Sequence, residues 1–260
     1  MRKQQYPGLL ALIAFILLQP AAAIAQTSFQ FQYGKLTNPF SGAAEYTSIL
    51  TVQQAAQWRY GDSFFFIDFL EDGVPDGFND KSIYGEWYPT LSIGKLTNTE
   101  ISIGPIRDIS IIAGFNADSD ANVLKYLPGV RASWNVPGFF FVNTDLTALI
   151  DASSGTAHGG APTTSNSFLF DINWGAAFGT GGQSFGFFGH AEYVGSQTNE
   201  FGNEVKSWIL AQPQLTWDLS KAINGEGNTL FVGIEYQYWW NKLGTTATDN
   251  VVQLLVVWQL

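Results

Sequence analysis

The chain has no cysteine, a single methionine and few charges. Without cysteine there is no disulfide framework, thiolate metal site or catalytic thiol. Charged residues make up 13% of the sequence, about half of the roughly 25% usual in globular proteins. Positive charge is scarcer still, with 12 Lys and Arg against 22 Asp and Glu. An acidic surface repels phosphate backbones, which excludes polymeric nucleic acid as a partner. Past residue 25 no run of 18 apolar residues appears, so a spanning helix has no candidate. Any membrane crossing has to be made by strands.

What the chain has instead is 15% aromatic residues, with 27 Gly and 9 Trp. Aromatics and glycines without a long apolar helix point to many short strands joined by turns. A mean hydropathy of +0.04 is too low for a bundle of membrane helices. It fits a barrel in which apolar and polar residues alternate.

The N-terminus carries Arg2 and Lys3, an apolar core from Leu9 to Leu18, and Ala23-Ile24-Ala25 before Gln26. That is the pattern of a cleaved signal peptide, residues 1–25, with one barrel domain over 26–260. An uncleaved anchor is the alternative.

The clearest single stretch is 83–108, IYGEWYPTLSIGKLTNTEISIGPIRD. Ile83, Gly85, Trp87, Pro89, Leu91 and Ile93 alternate with Tyr84, Glu86, Tyr88, Thr90 and Ser92. Successive strand side chains point to opposite faces, so one face is apolar and the other polar and acidic. The same alternation recurs at 29–33, 46–60, 64–71, 107–116, 125–136, 139–150, 166–178, 185–194, 205–217, 229–241 and 250–260. This predicts about twelve strands, an even number, in an all-β antiparallel up-and-down transmembrane barrel. Short turns belong to the periplasmic side, with the termini, and long loops to the outside. The connection KLTNTEISIGP falls on the short-turn side and is long for it. A soluble β-sandwich or lipocalin-like barrel also alternates, but it would carry charge on its outer face.

Trp58, Trp87, Trp134, Trp174, Trp217, Trp240 and Trp258 share the apolar parity, several near strand ends, as an aromatic girdle requires. The opposite parity gives the lumen Gln57 and Arg59; Phe64, Phe66 and Asp68; Tyr84, Glu86 and Tyr88; Arg131 and Ser133; Asn143 and Asp145; Asp171 and Asn173. Later strands add Phe188, His190 and Glu192; Lys206, Trp208, Gln212 and Gln214; Glu235, Gln237, Trp239 and Asn241. Rings interleaved with amides and carboxylates suit a nucleoside, whose base stacks while its edge and ribose hydroxyls are hydrogen-bonded. The competing reading is a polar lumen filled with pairs such as Arg131 with Asp145.

GKLTNTEISIGP and the run FFFIDFLED at 64–72 resemble the corresponding stretches of the Tsx-type nucleoside channels and their OmpK relatives. The match is strong over 46–116. The resemblance implies a twelve-stranded outer-membrane channel taking nucleosides through aromatic and ionisable lumen residues, with no cofactor. Phage are external ligands of some members. On this reading the substrate-binding set is Phe64, Phe66, Asp68, Tyr84, Glu86, Tyr88, Arg131, Asp145, Glu192, Glu235 and Trp239, in a monomer surrounded by outer-membrane lipid. The chain ends VVWQL where family members end on Phe.

Two other motifs carry less. Gly182-Gln183-Ser184-Phe185-Gly186 matches G-x-S-x-G, but a nucleophile elbow joins a strand to a helix and this run joins two strands. No catalytic residue is therefore expected. Asp72, Asp76, Asn79 and Asp80 lack the spacing of a Ca²⁺ loop, so a solvated acidic loop is expected there and no metal site.

Overall fold

The computed structural model describes residues 24–260. Its barrel strands are β1 (Ile24–Thr37), β2 (Ala44–Trp58), β3 (Gly61–Glu71), β4 (Ser82–Ser92), β5 (Ile106–Asp118) and β6 (Val123–Trp134). They continue with β7 (Phe141–Asp151), β8 (Ser167–Thr180), β9 (Gln183–Val194), β10 (Trp208–Ala211, resuming at Gln214–Asp218), β11 (Leu230–Trp240) and β12 (Asp249–Gln259). Each pairs antiparallel with its sequence neighbours, and β1 pairs with β12, closing a twelve-stranded barrel among the described residues. The break in β10 falls at Pro213, which has no N–H to donate. The backbone bonds Gln212 N–H to His190 O and Tyr236 N–H to Pro213 O keep the register through it.

The expected signal segment lies outside the described residues except for its last two, Ile24 and Ala25, which begin β1 opposite Gln57 and Ala56. The expected strands are all present. The stretch 205–217 is shorter as a barrel strand than the alternation suggested. Glu204–Val205 instead pairs with Gln197–Thr198 in a small hairpin outside the wall.

Parity along each strand decides which solvent it meets. Phe31, Leu50, Ile111, Val130, Leu146 and Leu254 stand outward on six strands, each at least 44% exposed. The charged side chains of the strands point inward apart from Lys35, Glu71 and Arg107, all near strand ends. A soluble barrel would present the opposite arrangement. Strands of 11 residues, such as β3, β4 and β7, match the roughly 9–11 that cross a bilayer at a tilt.

Aromatics ring both rims. At the end bearing the termini, Phe29 stacks on Trp258 at 5.7 Å, Phe178 on Phe185 at 5.5 Å, and Trp58 meets Tyr60 edge-on. At the far end, Tyr33 stacks on Tyr46 at 5.3 Å and Phe168 lies 5.8 Å from Tyr193.

The long connection after β4 has a local cause. Ser92 accepts a bond from Lys95 N–H and caps a short helix, α1 (Ile93–Thr97), which Asn98 ends in the left-handed region. A second short helix, α2 (Leu219–Asn224), is capped by Asp218 and closed by Gly225. Both sit at the terminal end.

Candidate functional site in the lumen

The β3–β4 register places Asp68 opposite Tyr84, Phe66 opposite Glu86 and Phe64 opposite Tyr88, all facing inward. Their rings form a track. Phe64 and Phe66 are 6.2 Å apart, and Phe66 and Tyr84 are 6.0 Å apart. Gly114 on β5 makes room for it, because a Cβ there would meet the Tyr88 ring at 2.7 Å. The phenols of Tyr84 and Tyr88 both donate to the Glu86 carboxylate, Tyr88 at 2.7 Å. Thr51 donates to Asp68 Oδ1 at 2.6 Å, and no hydrogen bond to Asp68 Oδ2 is found among the described residues.

The opposite wall is an amide and carboxylate network. Glu235 is 2% exposed and accepts side-chain N–H bonds from Gln32, Gln212, Gln214 and Gln253 at 2.7–3.1 Å. Four donors offset the cost of burying one carboxylate, and bonds to an ionised acceptor are the strong kind. His190 stands between Asp171 at 3.0 Å on Nδ1 and Gln212 at 3.0 Å on Nε2. Asp171 then accepts from Asn173, and Asn173 meets Asn143 and Asp145. Gln32 and Thr51 join this network to Asp68. Glu192 on β9 is close enough to Glu86 on β4 for their charges to interact across the lumen.

Every lumen cation among the described residues has a carboxylate partner. Arg131 holds Asp145 in a fork, Nε–Oδ1 at 2.8 Å and Nη2–Oδ2 at 2.7 Å, and reaches Asp62 with Nη1 at 3.1 Å. Lys125 pairs with Asp151 at 2.8 Å and Lys242 with Asp249 at 2.6 Å.

The two ends of the lumen differ. Toward the far end, Leu127, Leu149, Leu169 and Val194 form a buried apolar layer against Tyr88 and Trp208. Above Trp239, Lys242 lies 5.1 Å from both the Trp239 ring and the Phe78 ring of the 72–81 loop. Phe40 meets Phe78 edge-on, and Asn38 bonds Asp76 at 2.8 Å. These contacts draw the loop over that side of the mouth. Burial lowers the Lys242 pKa, while Asp249 opposes the shift. At the terminal end the inward residues Gln57 and Ala177 are exposed, so that mouth is open to water.

The structure thus gathers Phe64, Phe66, Asp68, Tyr84, Glu86 and Tyr88 on one wall and sets Glu192 across from them. Arg131 and Asp145 are consumed by each other, Glu235 is enclosed by amides, and Trp239 stands apart at the far mouth. Arg59 is a correction: β2 ends at Trp58, and Arg59 sits exposed in the turn, 5.0 Å over the Tyr60 ring. Lys206 is a second, bonded through its backbone to Gly244 in a loop. The glutamines around Glu235 went unread in part, because Gln32 and Gln253 look like an ordinary solvated strand face. Their signal was the recurrence of Gln on inward parity from four neighbouring strands.

Ser184 is the second residue of β9 and accepts a bond from Lys221 Nζ at 3.1 Å. It lies on the same strand face as His190 and about 20 Å from it at the rise of a strand, with no helix following the turn. In the acidic loop, the oxygens of Asp72, Asp76 and Asp80 accept backbone N–H bonds from Val74, Phe78, Asp76 and Gly77.

No protein-family model and no curated protein matches the sequence. Among solved structures the chain is similar to the KdgM porin, at 10% identity and TM-score 0.47, covering 90% of this chain and 99% of that one. It is also similar to the translocator domain of the autotransporter NalP from Neisseria meningitidis, at 11% identity and TM-score 0.38, covering 97% and 94%. A third is OccK10 (OpdN) of Pseudomonas aeruginosa, at 10% and 0.33, covering 92% and 99%. Likenesses this low carry no argument about function, and the barrel rests on its own strand pairing.

Proposed function

We propose that the chain is an outer-membrane channel for passive uptake of small neutral ring-bearing solutes, with nucleosides as the substrate class. The observation that carries this is the half-buried inward strip of Phe64, Phe66, Asp68, Tyr84 and Tyr88 facing Glu192. Side chains that face a barrel's interior and still reach solvent line water-accessible space. There a base stacks on the Phe64–Phe66–Tyr84 track while Asp68 Oδ2 accepts its N–H or a ribose hydroxyl. Phosphate finds no unpaired Lys or Arg on the inward face of the strands, where Lys125 and Arg131 each hold a carboxylate, which favours nucleosides over nucleotides. The resemblance of 46–116 to Tsx-type channels supports the same class, and residues 1–25 would direct export. The outward apolar band and the two aromatic rims support membrane insertion as a monomer with the termini in the periplasm.

Uptake into liposomes bearing the purified barrel tests the reading. Adenosine and uridine enter faster than their monophosphates and faster than a disaccharide of similar mass. Equal rates for nucleoside and disaccharide would leave a general small-solute pore.

One observation favours a second reading, a closed barrel acting through its loops, for example as a phage receptor. The apolar layer at Leu127, Leu149, Leu169 and Val194 and the loop drawn over Lys242 narrow the far end. Liposomes bearing the barrel that admit no solute above empty ones would establish it.

A further inference from the structure

Charge around the β3–β4 strip does not balance. Arg131 is matched by Asp145 and Asp62, and His190 by Asp171. Asp68, Glu86, Glu192 and Glu235 belong to none of the ion pairs among the described residues. They come from β3, β4, β9 and β11 and lie close enough for their charges to interact, Asp68 with both Glu235 and Glu86, and Glu86 with Glu192. The surroundings of Glu235 hold it as a carboxylate. Its partners are the amide nitrogens of Gln32, Gln212, Gln214 and Gln253, which donate and cannot accept, so a carboxyl proton would find no acceptor there. Carboxylates facing one another across a cavity with low-dielectric walls concentrate the field and draw in positive charge. Asp68 and Glu192 are half-buried and reach the water of the lumen, whereas Glu86 and Glu235 are enclosed.

A second observation is independent of the acids. Phe64, Phe66 and Tyr84 follow one another at 6.2 and 6.0 Å, half-buried on the same wall. An aromatic face stacks on a flat ring, and it also attracts a cation within about 6 Å of its centre. Carboxylates alone suit any small cation, and rings alone suit any flat solute. Together they suit a flat ring that is itself positively charged.

We propose that the strip holds a nucleoside with a positively charged base more tightly than its neutral isomer, with Glu192 and Asp68 as the residues that set the preference. This rests on the reading of the lumen as a channel for ring-bearing solutes and narrows it. Neutral nucleosides pass, and cationic ones are retained longest.

The test compares 1-methyladenosine, whose base is positively charged at neutral pH, with its neutral isomer N6-methyladenosine. Each is added to the full barrel in a planar bilayer, and block of the ion current is extrapolated to zero voltage, so that the applied field favours neither. In the parent the charged isomer binds at least about five-fold more tightly, the effect of one unit charge met at about 4 Å in water. Glu192→Gln, which keeps the shape and removes the charge, lowers that ratio. Glu226→Gln, which removes the same charge from an exposed position at the terminal end, leaves it unchanged. Should Glu192→Gln fail to insert, Asp68→Asn takes its place. A current that neither isomer interrupts overturns the ring-solute reading and this inference with it. Equal block by the two isomers, stronger block by the neutral one, or a ratio that falls as far in Glu226→Gln as in the lumen variant overturns this inference alone.

Discussion

Arg131 on β6 and Asp62 on β3 are joined at 3.1 Å across two intervening strands, β5 and β4. The reach is possible because the residues beneath it are short: Ser110 lies beside Arg131 in the register, with Ser92 beyond it, and Thr90 contacts Asp62. A side chain thrown across the wall both ties the barrel and narrows its lumen.

The two carboxylates on Arg131 should separate on mutation. Asp145 is enclosed with the guanidinium, and Asp145→Ala removes the two-bond fork and leaves buried Arg131 with only the single contact to Asp62, at a cost approaching about 3 kcal/mol. The Asp62 side chain is 39% exposed, so Asp62→Ala costs under about 1 kcal/mol and raises ion conductance by clearing the strut. Urea unfolding from vesicles measures the first effect and bilayer recording the second.

Stacking and hydrogen bonding at the β3–β4 strip can be told apart. Phe66→Ala removes the ring between Phe64 and Tyr84 and should weaken nucleoside binding at least about five-fold, the lower end for one stacked ring. Tyr84→Phe keeps the ring and loses only the bond to Glu86, so affinity stays within about two-fold. Block of ion current by added nucleoside reads both. Loss in Tyr84→Phe equal to that in Phe66→Ala would contradict the stacking role.

Glu200 ties two far-end loops together. It accepts bonds from Thr156, by both hydroxyl and backbone N–H, and from the Thr163 hydroxyl. The Thr156 bonds, hydroxyl first, hold its carboxyl below the usual carboxylate range. A depressed folded-state pKa stabilises the tether fully above the unfolded value of about 4.3 and is lost as pH falls through the lower folded value. A spin label on a cysteine replacing exposed Ala157, the only thiol in the chain, should be immobile at neutral pH and loosen under acid. In Glu200→Ala it should be mobile at both.

The loops at Gly77 and Gly159 lie at the far end and Gly181 at the terminal end. All three have φ of +58° to +84°, where a side chain is strained, so neighbouring positions serve better for labelling. Cysteines replacing Pro75 and Ala157 should react with a membrane-impermeant maleimide on intact cells, and those replacing Glu100 and Glu226 only after lysis. The reverse pattern would invert the orientation.

Much of the barrel was legible in the sequence because parity is a local property. Tyr84, Glu86 and Tyr88 share a face whatever their neighbours do, and the short loop after β3 brought Asp68 and Phe66 beside them. What alternation cannot give is distance across the lumen. That Glu192 faces Glu86, or that Arg131 reaches Asp62, depends on how the sheet closes. The inward Leu127, Leu149, Leu169 and Val194 were illegible for another reason. They stand on the polar parity of their strands, and only the closed barrel brings them together as a layer.

Single-channel recording of the reconstituted barrel in a planar bilayer tests the central claim most directly. Discrete conductance steps should appear, be interrupted by adenosine or uridine in a saturable, concentration-dependent way, and be unaffected by a disaccharide at the same concentration. Steps that nucleosides do not interrupt, or a bilayer with inserted barrels and no steps, would contradict it.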